Sequence, residues 1–422
     1  MFRCSISIDR QQVRPMERES PSSEMALPDV MPSHWINYTS PAQTVILKPD
    51  AIAEMPGAIR TMGLERLLLV CGGNTRKSAI YSLVCDALGD RVADVYDEVV
   101  EHSGTETVMR GADIARQASI DGLVAVGGGS ASDTAKAIAI LLAEGGDIGE
   151  HASTFIPPDK FYPNELRQPK LPVIAVPTTA SAAEVTPGLG IRNDEGRKLL
   201  FWDVKLAARL IILDSTANVH VPASLMASTA MNALAHCAEG LYSRQRNPIS
   251  EGLALQGIRI LSESILPMVA EPSNADHRSG VLAGAHISGI VISNARVGIH
   301  HAVCHCLGAH GGLSHGTANS IMLPHALRYN REVAAEQLGK LAEAMGVDTH
   351  GMTSQEAADA GIDAVCRLQD QAKVPRRLRD SGLDKALLPE IAEQTMRDRG
   401  LFFNPRRTAS ARQVEQLLEE AW

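Results

Sequence analysis

Residues 122–136, "GLVAVGGGSASDTAK", decide the fold. A short apolar run ends in three consecutive glycines, and a helix-forming stretch starts directly behind them. That order reads as a buried strand, a tight turn and a helix. Without a Cβ, glycine lets the backbone come close to a ligand. Ser130 stands where a helix cap belongs, and the free N–H groups of the next turn face an anion. The segment therefore reads as a pyrophosphate cradle, with a plain tight turn as the simpler alternative. It is neither GxGxxG nor a Walker loop, because no Gly-Lys-Ser/Thr follows.

Outward from this point the pattern repeats. "RLLLVCGG" (66–73), "LPVIAVPTT" (171–179) and "ARLIILD" (208–214) are further buried-strand runs. Helical stretches such as "SAIYSLVCDAL" and "TVMRGADIARQAS" lie between them. Strand–helix alternation predicts βαβ units and a parallel sheet. "VPTTASAAEVTP" (176–187) is a second strand-to-loop segment, with hydroxyls suited to phosphate or ribose, or simply a polar loop. "CGGNT" (71–75) is a candidate for the adenosine end of a nucleotide.

Behind residue 215 the strand signal vanishes. "PASLMASTAMNALAHCAEGLYS", "ISEGLALQGIRILSESILPMVAE" and "RSGVLAGAHISGIVISNA" are long apolar-periodic helices rich in Ala, Gly and Ser. The chain thus reads as an α/β domain over 36–215, an all-α domain over 216–422, and a disordered tail over 1–35. A cleft between the two domains is the natural meeting place of cofactor and substrate.

The 422 residues are 45% hydrophobic and 21% charged, enough to bury a large core. A net charge of −9 argues against nucleic acid and anionic membrane as partners. A locally basic pocket for an anionic small molecule remains compatible with it. Seven scattered cysteines without a CxxC pair argue for free thiols and a reducing, cytoplasmic compartment. No uninterrupted apolar run reaches the roughly 18 residues of a membrane span. The first thirty residues mix arginines with acids and lack an apolar core, unlike a secretory signal; a transit peptide is the alternative to a disordered tail, and the acids weigh against it.

Seven of the fourteen histidines fall between His286 and His325, far more than an even spread would place there. "GIHHAVCHCLGAHGGLSH" (298–315) alone holds five. His301 and His305 are four apart and share a helix face, as do Asn232 and His236. His315 follows a glycine-rich loop. Three imidazoles converging from two helices and a loop make a transition-metal or zinc-type site. Here the fourth position offers Asn232, a neutral and poor ligand. Taken singly, each histidine also reads as an ordinary helix residue. Cys304 and Cys306 point to different helix faces and read as small buried residues. Lys198, Arg244 and Arg246 are further candidates for assisting an anionic substrate, with solvated surface charge as the simpler reading of each.

"GGGSASDTAK", "PTTASAAEVT", "MNALAHCAEGLYS", "GIHHAVCHCLG", "SHGTANSIMLPHALRYN" and "NPRRTASARQVEQLLEEAW", in that order, resemble the iron-containing alcohol dehydrogenase superfamily over residues 36–422. "MNALAH" resembles its maleylacetate reductase branch, in which Asn stands where the metal-dependent dehydrogenases have Asp. "GGGSASDTAK" is nearer to the metal-dependent dehydrogenases, and "TPGLGIRN" lacks the Trp of the reductases. The resemblance implies a Rossmann-like N-terminal domain, a helical C-terminal domain and NAD(H) or NADP(H) in the cleft. By motif match, the cofactor positions are Gly127, Gly128, Gly129, Ser130, Asp133, Lys136, Thr178 and Thr179. The metal positions map onto Asn232, His236, His301 and His315. His305 maps onto the histidine beside nicotinamide and substrate.

Loss of the anionic ligand predicts a site without iron or zinc, where histidines bind and protonate an anionic oxo acid. His305 is the expected proton donor, with His301 and His236 beside it. The expected activity is NAD(P)H-dependent reduction of an oxo or enoyl acid of maleylacetate type. The alternatives are an iron- or zinc-dependent alcohol or aldehyde dehydrogenase, and less favourably a dehydroquinate-synthase-like lyase. The resemblance also implies a homodimer.

Overall fold

The computed structural model describes residues 36–422 apart from 102, 157–159, 163, 194, 196 and 197, so the expected tail over 1–35 lies outside the described residues. Among the described residues there are ten strands: β1 (Thr44–Lys48), β2 (Leu67–Val70), β3 (Val92–Tyr96), β4 (Gly122–Gly127), β5 (Thr154–Ile156), β6 (Lys160–Tyr162), β7 (Val173–Pro177), β8 (Gly188–Arg192), β9 (Lys198–Trp202) and β10 (Leu210–Asp214). Six of them form one parallel sheet in the order β1-β10-β7-β4-β2-β3. The four apolar runs of the sequence are β2, β4, β7 and β10, each fully buried, as sheet strands covered on both faces must be.

After β2 the chain moves outward to β3, whereas after β4 it moves the other way to β7. The loops behind β2 and β4 therefore diverge, and a crevice opens between them at the carboxyl ends of the strands. Two antiparallel ribbons, β5–β6 and β8–β9, are added to the sheet layer.

From Ala223 on, the described residues are helical. The helices Ala223–Tyr242, Pro248–Ala270 and Ala275–Ala295 pack side by side. Their small residues allow this. A Cβ on Gly257 would lie 2.7 Å from Cys237 Sγ, and one on Gly240 would lie 2.2 Å from Val291 Cγ1. The helix Pro248–Ala270 is long and apolar enough by average hydropathy to cross a membrane, although charged residues interrupt it. It packs between its two neighbours and carries an exposed Arg259–Glu263 ion pair. A second cluster, including Ile299, Val303, Leu307, Ile321, Ile391 and Leu417, packs the helices Ile299–Gly311 and His315–Asn330 against the C-terminal helices.

Candidate functional site

The triple glycine closes β4 and opens the helix Gly129–Glu144. Gly128 is the residue at the helix N-cap, and Ser130 lies one residue inside the helix, so the expected capping by Ser130 is corrected. A side chain at the cap position would be tight. A Cβ on Gly128 would lie 3.2 Å from Thr179 Oγ1, and one on Gly129 would lie 3.4 Å from Ser181 Oγ. Gly127 has φ +147, and its Cβ would sit 3.1 Å from Ala131 and 3.6 Å from Thr75 Oγ1. Thr178 N–H donates to the Gly127 carbonyl at 2.9 Å. Gly127, Gly128, Gly129, Thr178 and Thr179 thus form one corner, with Thr75 of "CGGNT" on its far side. This is a cradle that a Cβ would fill, in the crevice where the sheet's connections reverse.

Asp133 and Lys136 depart from the cofactor-binding expectation. Lys136 is fully buried and donates to the carbonyls of Ala183 (2.5 Å), Thr186 (2.7 Å) and Gly188 (3.0 Å). All three ammonium hydrogens are used. Burial pulls this lysine down to about 8, against the attraction of Asp133 and Glu184. Asp133 accepts from Gly190 N–H at 3.2 Å. Both side chains clamp the second loop into place.

That loop joins the two halves. Ala180 N–H donates to Thr229 Oγ1 at 3.1 Å, three residues from Asn232 in sequence. A Cβ on Gly289 would lie 2.6 Å from Val185 Cβ, next to Ser288 on the helix that supports His236.

The structure brings the four histidines of interest together. The His236 and His301 rings stack with centroids 4.6 Å apart. His305 and His315 lie 6.1 and 5.9 Å from His301, and 6.1 Å from each other. Asn232 Oδ1 is 3.1 Å from His301 Nε2. Cys304 and Cys306 are buried side chains, as expected.

Hydrogen bonds fix the tautomers. Ser288 donates its hydroxyl hydrogen to the Ala285 carbonyl, so its oxygen accepts Nδ1–H of His236 at 3.2 Å. His236 therefore turns the Nε2 lone pair outward. His300 donates Nε2–H to the Asn319 carbonyl at 3.1 Å, leaving a lone pair on Nδ1 that faces His301 Nδ1 at 3.2 Å. Two lone pairs cannot face each other, so the hydrogen is on His301 Nδ1 and points to Glu239 Oε2 at 2.6 Å. The lone pair of His301 Nε2 then meets the Asn232 amide. A half-turn of that amide exchanges O and N, and its NH2 end is the one that donates.

Electrostatics keep these rings neutral. Burial lowers His236 to about 3 and His300 to about 4, and pushes His301 well below the free imidazole range. Burial raises Glu239 to about 8, against the N–H groups of Gly298, His300 and His301. His305 differs, because its Nδ1 lies 2.8 Å from Asp398 Oδ2. Burial and the Lys198 cation lower His305, and Asp398 opposes them. Burial alone would raise Asp398, but His305 and the Gly400 N–H hold it below the ordinary carboxylate range.

The expected metal positions offer three neutral imidazoles and one amide. The amide of Asn232 brings no charge, and it occupies the lone pair of His301 that an ion would need. Among the described residues the set of His, Cys, Asp and Glu whose ligating atoms lie within 4.8 Å of one another is Glu239, His300 and His301. Those three already bond to one another and to backbone.

Sequence reasoning missed Asp398, Glu239 and the placement of Lys198. Lys198 is exposed, and its charge acts on both His305 and Asp398. Arg244 is half-buried and donates to the Phe402 carbonyl at 3.1 Å, and half-buried Arg246 donates to that of Ser243 at 3.4 Å.

A Rossmann-like parallel sheet with a glycine corner, joined to a helical half that carries a histidine cluster, defines a two-part fold. The sequence pattern of "Iron-containing alcohol dehydrogenase" matches residues 42–215, and that of "Fe-containing alcohol dehydrogenase family, C-terminal" matches 226–422. The chain belongs to the iron-containing alcohol dehydrogenase family and is an oxidoreductase. It is 31% identical to 1,3-propanediol dehydrogenase of Citrobacter freundii over 89% of this chain and 96% of that one. It is 29% identical to maleylacetate reductase 1 of Cupriavidus pinatubonensis over 89% and 94%. The crystal structure of 1,3-propanediol oxidoreductase superposes with a TM-score of 0.86, at 29% identity, over 92% of this chain and all of that one.

Proposed function

We propose that this protein reduces a small oxo or enoyl acid of maleylacetate type with NADH or NADPH, without a metal ion. The observation that carries the reading is Asn232 against His301 Nε2 at 3.1 Å, beside the His305–Asp398 pair. When bound, the dinucleotide supplies the hydride. The backbone of Gly127–Gly129 and the N-terminus of the Gly129–Glu144 helix hold its pyrophosphate, and Thr178 and Thr179 flank it. Negative charge then develops on a substrate oxygen. His305 in its imidazolium form, which Asp398 stabilises by accepting Nδ1–H, presents Nε2–H to that oxygen and gives up this proton there; the neutral ring left behind takes up a proton from solvent before the next turnover. His236, His301 and His315 line the remaining wall and orient the substrate oxygens.

A second reading is a metal-dependent alcohol or aldehyde dehydrogenase. It is favoured by the outward lone pair of His236 and by the likeness to propanediol dehydrogenase. The deciding experiment follows NADH and NADPH oxidation with maleylacetate and with a panel of aldehydes, with and without a chelator. The proposal expects turnover of the oxo acid, indifferent to chelation. Activity that is lost to the chelator and restored by Fe²⁺ or Zn²⁺ would replace it with the second reading.

A further inference from the structure

The helix Ala275–Ala295 meets the helix Ile299–Gly311 at a bend of 107°, and Arg296 stands in the bend. Its backbone has φ 69 and ψ 175, a conformation that is essentially reserved for glycine. The guanidinium lies over the Trp202 ring at 3.9 Å. Its Nη1 is buried without a hydrogen-bond partner. The charged neighbour acting on it is a second guanidinium, Arg399. Burial lowers Arg296 to about 9, and the repulsion from Arg399 adds to this.

The position is tied to both halves of the chain. Trp202 ends β9, and a Cβ on Gly188 would lie 2.7 Å from its ring. The Gly188 carbonyl is one of the three that Lys136 holds. Arg399 directly follows Asp398, the partner of His305. A Cβ on Gly400 would lie 2.7 Å from the Gly298 carbonyl, so this segment packs onto the bend itself. Arg296 thus stands between the ribbon of the sheet half and the segment that orients His305.

We propose that Arg296 is a specificity-determining residue that receives a carboxylate of the carbonyl substrate, with Arg399 adding positive charge behind it. This rests on reading the site as a carbonyl reductase. A guanidinium stacked on an indole keeps its edge free, and a carboxylate meets that edge with two parallel N–H···O bonds. The anion gives Nη1 a partner and relieves the repulsion between the two arginines. A neutral aldehyde provides neither.

Arg296→Gly suits the test, because glycine adopts this backbone conformation without strain and the fold is kept. Arg296→Gln removes the charge and retains most of the side-chain length. The readouts are kcat/KM with maleylacetate or succinic semialdehyde, kcat/KM with butanal, and succinate binding by calorimetry to the NADH-loaded enzyme. Both variants are expected to lose about 10- to 100-fold in kcat/KM toward the carboxylated substrate. Butanal turnover should change by less than about threefold. Succinate binding should disappear, and the melting temperature of Arg296→Gly should equal or exceed that of the wild type. Equal losses on both substrate types overturn the proposal. So does succinate that binds wild type and Arg296→Gly alike, or that fails to bind the wild type. If the wild type reduces no carbonyl compound, the reductase reading fails, and the succinate comparison still decides the role of Arg296.

Discussion

His305 Nδ1 lies 2.8 Å from Asp398 Oδ2, although ninety-three residues separate them in sequence. The carboxylate fixes the ring so that Nε2 is the atom left for substrate. A proton donor in that position contributes roughly 10²- to 10⁴-fold to rate, so His305→Ala should lower kcat by about that factor. Asp398→Asn keeps the shape but removes the charge that stabilises the imidazolium, and should lower kcat by roughly 10-fold or more with little effect on cofactor affinity. Steady-state kinetics with a substrate known to turn over checks both. A loss below about threefold for His305→Ala would remove it from proton transfer.

The reach of the sequence follows from chemistry. β2, β4, β7 and β10 were legible because a strand buried on both faces must be apolar throughout. β1, "TVILK", and β3, "VADVY", are only partly buried; their mixed patterns do not stand out from loops. His236, His301, His305 and His315 were found by crowding and four-residue spacing. Glu239 is three residues beyond His236 on the same helix, and a carboxylate inside "HCAEGLY" was a signal that went unread. Asp398 and Arg296 gave none. One reaches its histidine by tertiary packing, and the other is marked by a backbone angle that no residue pattern displays.

Asn232 decides the metal question. A divalent ion among neutral imidazoles and an amide has no anion to offset its charge, whereas a carboxylate at position 232 would supply one. The wild-type protein should purify with little iron or zinc and keep its activity in chelator. Asn232→Asp should bind Fe²⁺ or Zn²⁺ in near-stoichiometric amount. Elemental analysis of both proteins after identical metal loading tests this, and equal metal content would refute the assigned role of the amide.

The glycine corner makes a separate prediction. Ala at position 128 places a methyl 3.2 Å from Thr179 Oγ1 and 3.3 Å from its Cγ2, in the space facing the proposed pyrophosphate. Overpacking of this kind costs about 1–3 kcal/mol, so Gly128→Ala should raise the Kd of the dinucleotide by roughly 5- to 100-fold. The melting temperature of the cofactor-free protein should fall only slightly. Fluorescence titration with NADH and NADPH reads the affinity, and an unchanged Kd for both would move the cofactor away from this corner.

Glu184 couples the same loop to pH. It is 2% exposed, its Oε2 has no hydrogen-bond partner, and burial raises it to about 7, with Lys136 opposing and Asp133 reinforcing. A carboxyl whose pKa is higher in the folded chain than in the unfolded one binds more protons when folded. Its contribution to stability is therefore complete below the unfolded value, near 4.5, and is lost as pH rises through about 7. The shift corresponds to about 3 kcal/mol between those limits, as an order of magnitude. Glu184→Gln cannot ionise, so it should flatten this part of the stability profile and raise the melting temperature at pH 8 relative to wild type. Thermal melts of both proteins from about pH 5 to pH 8 give the comparison. A wild-type and variant pair whose melting temperatures keep a constant difference across that range would show that Glu184 does not titrate there, and that its neighbourhood with Lys136 holds it charged throughout.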